Sequence, residues 1–230
     1  DNNQIFLAFW KVIEGKHIGI GLKLQQEIVK ECKPKFIGII GLEETTHNLH
    51  KWLGFRVEKM DHHVLLSQFV NKFKIAKVNN FKIFYKKKNK KFSLVKLNTK
   101  NIKLLLDSKF YDAQIPLKSN NYIANRYLKH PFYEYLVFLI INKKIPKALM
   151  VIRSIKINKS LVLRFVDFIG TSKSFLLTYD ASIKLLQKYK AEYVDIYSYG
   201  ISKKIFRQAG YINRHEKQSL IIPNHFEPFQ

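Results

Sequence analysis

Lys16-His17-Ile18-Gly19-Ile20-Gly21-Leu22 combines two glycines, a lysine and the start of an amphipathic segment, a pattern that can bind an anion. Gly19 and Gly21 let the backbone turn tightly and come close to a ligand. The following residues, Leu22 to Glu31, carry Leu24, Ile28 and Val29 at helical spacing, so the loop opens into a helix. The first N–H groups of a helix have no partner inside it, and the helix dipole adds partial positive charge at the same end. A pyrophosphate is the natural ligand for such an entrance, and Lys16 adds a full charge beside it. Asp61-His62-His63 suggests metal ligands, but adjacent histidines on a strand face opposite sides and cannot readily share one ion, so no metal is expected. The single cysteine, Cys32, excludes an internal disulfide and fits a reducing cytoplasm. With no activating base nearby it reads as a packing residue.

The elements around the loop must place it. Ile5 to Ile13 is short, aromatic and apolar, and reads as a buried strand. Lys35 to Ile40 is a second apolar strand, reached directly after the helix in the manner of a βαβ unit. Thr45 to Trp52 reads as a short helix capped at Gly54, and Val57 to Leu66 as a hairpin or paired strands closing the first unit. Lys86 to Lys91 is a basic run that reads as a solvated turn and marks a boundary. The sequence thus divides into residues 1–78, a linker over 79–91, and a second unit over 92–230. In that second unit Phe92 to Leu97 is a strand, Asn101 to Ser108 a helix, and Ser119 caps a helix over Tyr122 to Lys129. Strands follow at Tyr135 to Asn142, Ala148 to Ile155 and Leu161 to Ile169, turning at Lys143-Lys144 and Asn158-Lys159. Phe175 to Lys190 is a helix with Leu176, Leu177, Ile183 and Leu186 inward, then come the strand Tyr193 to Tyr197, the helix Ser202 to Gln208 and the strand Leu220 to Ile222.

The order of parts resembles the GNAT superfamily of acyl-CoA N-acyltransferases. Lys16-x-x-Gly19-x-Gly21 is similar to the family's Gln/Arg-x-x-Gly-x-Gly/Ala motif, with lysine at the first position. Leu49-His50-Lys51-Trp52-Leu53-Gly54-Phe55 resembles its Leu-Tyr-x-x-Leu-Gly-Phe signature at the expected separation, and the match covers residues 4–66. The resemblance implies an α/β fold (α+β by segregation) of two GNAT-like units, each with a mixed, mostly antiparallel sheet flanked by helices. The first unit is expected to be incomplete, lacking its opening strands, so the chain reads as a fragment. The second is expected to be degenerate, because Gly170-Thr171-Ser172-Lys173-Ser174 holds one glycine where the family has two. Phe206-Arg207-Gln208-Ala209-Gly210-Tyr211 echoes the signature of the first unit.

What the resemblance implies for chemistry is acyl transfer from acetyl-CoA, or another acyl-CoA, to an amine. Trp10 and Val12 would pair with the pantetheine, the amides of Gly19 to Leu22 would hold the pyrophosphate, and Glu14 would take the amine proton. His50 stands where the family has the tyrosine that protonates the CoA thiolate, and a histidine can donate that proton. Glu43 replaces the family's asparagine. Acceptor-cleft candidates in the second unit are Arg164, Asp167, Tyr197, Tyr199, His215 and His225, with Arg164 and Asp167 expected on opposite strand faces. The tail Ile221 to Phe229 resembles tandem GNAT-like proteins of bacterial surface-polysaccharide (O-antigen) clusters, which implies an amino-sugar acceptor, in some cases nucleotide-linked.

The formal charge of +24 over 230 residues invites a nucleic-acid reading. Lysine supplies nearly all of it, however, alongside abundant Asn, Ile and Phe, a bias that an AT-rich coding sequence gives by itself. No specific nucleic acid is therefore expected. No apolar run is long enough for a membrane span, and the start shows no signal peptide, so a cytoplasmic protein and a possible homo-oligomer are expected. The rival readings are a non-catalytic GNAT-like scaffold, a Fem-like aminoacyl transferase and a basic nucleic-acid binder.

Overall fold

The computed structural model describes residues 4–7, 19–42, 44–79, 92–105, 118–217 and 219–223. It divides into two compact units, one of residues 1–58 with 115–117 and one of residues 59–114 with 118–230.

In the first unit, β1 (Gln4–Leu7) pairs in parallel with β2 (Phe36–Ile39), and α1 (Ile20–Cys32) lies between them in the chain. Phe6 stands opposite Gly38, whose missing side chain leaves room for the Phe6 ring. Helix α1 buries Gly21 and Gln25, whereas Leu24 is 55% exposed. The inward stripe therefore runs through the small Gly21 rather than through the expected Leu24. Helix α2 (Glu44–Trp52) ends as the sequence predicts: Gly54 adopts φ 86°, Phe55 N–H donates to His50 O at 2.9 Å and Gly54 N–H to Lys51 O at 3.0 Å. That pair of bonds is a Schellman cap, which satisfies carbonyls the helix leaves open.

The second unit holds a seven-stranded sheet in the order β10-β3-β9-β8-β7-β6-β5. Its strands are β3 (Asp61–Leu66), β5 (Phe92–Lys96), β6 (Tyr135–Asn142), β7 (Ile145–Ile157), β8 (Ser160–Gly170), β9 (Tyr193–Ser198) and β10 (Ile212–Asn213). Only β8 and β9 run parallel. Asp61 to Leu66 does not close the first unit as a hairpin. It pairs with β9 along its whole length and with β10 on its other side, within the second unit's sheet, so the boundary falls at Glu58/Lys59, not in 79–91. The basic run Lys86 to Lys91 lies outside the described residues.

Strand alternation sorts the side chains to two faces. Leu136, Phe138, Met150, Ile152, Leu163 and Phe165 pack on α4 (Ser172–Phe175), α5 (Thr178–Tyr189) and α6 (Lys203–Gln208). The predicted single helix is thus two, and Leu176 at the break is 36% exposed instead of inward. On the other face, Val137, Leu139, Leu149 and Val151 meet Ile123 and Tyr127 of α3 (Asn120–Ile123) and the π-turn Ala124–Leu128. Farther along it, Val64, Leu66, Val162 and Tyr193 meet Ala76 and Leu220. Ala76 precedes and Leu220 belongs to a two-stranded ribbon of β4 (Lys77–Val78) and β11 (Leu220–Ile221), tied down by Glu192. The buried carboxylate of Glu192 accepts the N–H groups of Lys74, Ile75 and Ala76 at 2.8, 2.8 and 3.2 Å. Among the described residues no helix is long and apolar enough to cross a membrane.

Helix α6 repeats the cap of α2. Tyr211 N–H donates to Phe206 O at 2.9 Å, Gly210 N–H donates to Arg207 O at 3.0 Å, and Gly210 adopts φ 77°. A Cβ on Gly210 would lie 2.7 Å from the buried Tyr179 ring, whereas one on Gly200, at φ 82°, would meet nothing within 4 Å. Gly200→Ala should therefore cost only left-handed backbone strain, roughly 1–2 kcal/mol. Gly210→Ala adds the collision with Tyr179 and should lower the urea midpoint distinctly further.

Candidate functional site

Gly19 sits at the N-cap of α1 with φ 82°, the left-handed conformation that glycine adopts without penalty. Its carbonyl accepts the N–H of Lys23 at 3.0 Å, which starts the helical ladder. No side chain among the described residues caps this end, and the first turn carries no acidic residue. The amides of Ile20, Gly21 and Leu22 therefore meet the requirement for an anion at the entrance of a 13-residue helix. Trp10, Val12, Glu14, Lys16, His17, Ile18 and Glu43 lie outside the described residues.

His50 is buried on α2. A carbonyl can only accept, so the 2.9 Å contact to Thr46 O assigns the Nδ1 hydrogen. Any proton that His50 delivers must then travel on Nε2. The ring edge also meets Phe55 at 5.7 Å, so the Gly54 cap and the His50 orientation depend on one another.

In the second unit the loop matching the glycine entrance is built differently. Thr171 Oγ1 accepts the N–H of Ser174 at 3.1 Å and so caps α4 with protein. Gly170 serves packing, because a Cβ there would lie 2.7 Å from Ser174 Oγ and 2.9 Å from the Ala148 side chain.

The candidate acceptor residues divide sharply. Arg164 and Asp167 share a face, against the expectation from simple alternation. Val151 pairs with Asp167 and Ile152 with Phe165, so Val166 is an extra residue, and this bulge reverses the parity of β8. Arg164 grips Asp195 through Nε–Oδ1 at 3.0 Å and Nη2–Oδ2 at 2.6 Å. His62 Nε2 donates to Asp195 Oδ2 at 2.9 Å from the opposite strand, and its ring stacks on Tyr197 at 4.0 Å. Burial alone would raise the Asp195 carboxyl, but the bonds from His62 and Arg164 hold it below the usual range. Asp167 receives Lys118 Nζ at 2.6 Å and the Tyr127 hydroxyl at 2.7 Å. Burial first and then this carboxylate push the Tyr127 hydroxyl far up, so it stays a neutral donor. Tyr199 is half exposed, His215 lies in a 3-10 turn, and His225 lies outside the described residues.

Sequence reading did not join His62 to Asp195, 133 residues apart, nor Lys118 and Tyr127 to Asp167. The available signal was Asp195 itself, a lone acid inside the apolar strand Tyr193-Val194-Asp195-Ile196-Tyr197. His63 faces away from His62 and stacks on Phe206 at 3.7 Å, as adjacent strand residues must. Among the described residues no group of three His, Cys, Asp or Glu side chains could hold a metal.

Asp195→Ala would remove the carboxylate that pairs with the buried Arg164 charge and accepts from His62, and should lower the unfolding free energy in urea by about 3–5 kcal/mol. His63 has neither ring nitrogen bonded among the described residues, and burial holds it down at about 4 from 6.5. Between these values the unfolded chain takes a proton that the folded chain refuses. Stability should thus fall as pH drops from about 6.5 toward 4, and His63→Phe should flatten that slope when urea midpoints at pH 7 and 5 are compared.

No protein-family model and no curated protein matches the sequence. Solved structures do. A functionally unknown conserved protein from Staphylococcus epidermidis ATCC 12228 is 12% identical with a TM-score of 0.50, over 84% of this chain and 74% of that one. A GCN5-related N-acetyltransferase from Anabaena variabilis ATCC 29413 is 14% identical with a TM-score of 0.54, over 90% of this chain. This chain spans 49% of that protein's length. The mixed sheet with one parallel strand pair and helices on both faces thus has the fold of a GCN5-related N-acetyltransferase.

Proposed function

We propose that this chain is an acyl-CoA-dependent N-acyltransferase whose acceptor is an amino sugar used in surface-polysaccharide assembly. The observation that carries the reading is Gly19, left-handed at the start of α1, which no side chain among the described residues caps, with parallel strands on either side of that helix in the chain. An acyl-CoA brings a pyrophosphate, and the amides of Ile20, Gly21 and Leu22 would take it, with Lys16 supplying charge. Trp10 and Val12 would hold the pantetheine. In the reaction the acceptor nitrogen attacks the thioester carbonyl carbon, a C–N bond forms and the C–S bond breaks. Glu14 would receive the amine proton, directly or through water, and His50 would return one to the thiolate from Nε2. The capped loop at Thr171 supports assigning the acyl-CoA to the helix entrance of the first unit. The reading places the protein in the cytoplasm.

Acetyl-CoA at a hundred times its dissociation constant should stabilise the chain by about 2.7 kcal/mol in a thermal-shift assay. Gly19→Val forces a β-branched residue into left-handed backbone and should abolish that stabilisation. Acetyl-CoA that leaves the melting curve unmoved would sink the reading.

A further inference from the structure

The second unit contains an open cleft of about 460 Å³, lined from Leu97 to Thr99, by Tyr127 and Leu128, and from His130 to Tyr135. The size falls in the range of small-molecule sites, roughly 300–1,000 Å³. Its wall is fastened in advance. His130 Nδ1 accepts the N–H groups of both Phe132 and Tyr133, at 3.2 and 3.0 Å, which locks the turn around Pro131. Tyr133 is clamped between the His130 ring at 5.1 Å and the Arg153 guanidinium at 4.0 Å. A rigid wall lowers the ordering cost of binding.

The chemistry of the lining narrows the ligand. With Nδ1 accepting, neutral His130 carries its hydrogen on Nε2 as a fixed donor. Asn98 uses its carbonyl oxygen on the N–H groups of Lys100 and Asn101, so its amide nitrogen is the end left to donate. Thr99 adds a hydroxyl and Glu134 a carboxylate. Phe132 is 86% exposed at the mouth, an apolar ring offered to solvent.

Charge removes two ligand classes. Among the described residues no lysine or arginine side chain lines the cleft, so a phosphate or carboxylate would find no cationic group in the wall itself. A cation stacked on Tyr133 is disfavoured as well. Arg153 already covers one face of Tyr133, and burial followed by the charges of Arg126 and Arg153 lowers the proton affinity of His130. What fits is an uncharged ring with apolar faces and hydroxyls around its edge.

We propose that this cleft binds a pyranose ring, stacked on Phe132 and hydrogen-bonded at its edge by His130, Asn98, Thr99 and Glu134. As the seat of a saccharide acceptor the cleft rests on the acyl-transfer reading; as a saccharide site it does not. Saturation-transfer NMR on the full chain tests it, with methyl β-glucoside, methyl β-galactoside and N-acetylglucosamine as probes, and adenosine and uridine beside them. At least one pyranoside should receive saturation, and Phe132→Ala and Glu134→Gln should each weaken its binding tenfold or more. Both side chains are exposed, so neither substitution should move the melting temperature or the acetyl-CoA shift. Silence from every pyranoside, or binding that survives both substitutions, overturns the proposal. Saturation of a nucleoside alone overturns it in favour of a nucleobase site. Loss of the acetyl-CoA shift with pyranoside binding intact would remove the acyltransferase reading and leave this one standing.

Discussion

Asp195 is a carboxylate with no solvent exposure in the middle of a seven-stranded sheet, and much of the second unit is arranged to make that tolerable. An isolated charge at that depth would cost several kcal/mol, so partners must arrive from within the sheet. β9 has two neighbours and each supplies one: Arg164 from the parallel β8 and His62 from the antiparallel β3. Because both bonds land on the same carboxylate, the register of β8 against β9 is coupled to that of β9 against β3. A shift of either strand by one residue would turn its partner side chain to the opposite face and strand the charge. Tyr197, stacked on His62, completes the cover from two positions along β9.

The same face shows how polar contacts set a boundary that apolar pattern leaves open. Glu192 lies just before β9 and takes three backbone N–H groups from Lys74 to Ala76, which lays that segment over Val64, Leu66 and Tyr193. Between this apolar patch and the one formed by Val137, Leu139 and Leu149, the face carries Arg164, Asp167 and Asp195.

What the sequence disclosed was local, and what it hid was relational. Gly54 and Gly210 were legible as helix stops because the Schellman cap is written within six consecutive residues, and both sites close with the same two bonds. Lys143-Lys144 was legible as a turn, and both residues adopt positive φ as a two-residue hairpin demands. The partner of Asp61 to Leu66 was not legible, since an apolar strand states that it will be buried but not against what. Nor was the bulge at Val166. Alternation carried from Leu161 onward assigns Asp167 to the wrong face, and one unpaired residue is enough to reverse every side chain beyond it. For the same reason the bonds from Lys118 and Tyr127 to Asp167 could not be anticipated.

Among the described residues two parallel strand pairs are joined through helices, and the two helix starts are built on different physical grounds. At the second, Thr171 spends its hydroxyl on Ser174 N–H, and Gly170 is glycine because the side chains of Ser174 and Ala148 occupy the space a Cβ needs. That junction is closed by protein, and its first helix is four residues long, too short for an appreciable dipole. At the first, Gly19 is glycine because its backbone is left-handed, with nothing within 4 Å of where a Cβ would stand. A helix of 13 residues begins there without a side-chain cap among the described residues. A glycine required by packing and a glycine required by conformation look alike in a sequence. What tells them apart is the surroundings: Ser174 and Ala148 crowd Gly170, whereas open space surrounds the Cβ position of Gly19.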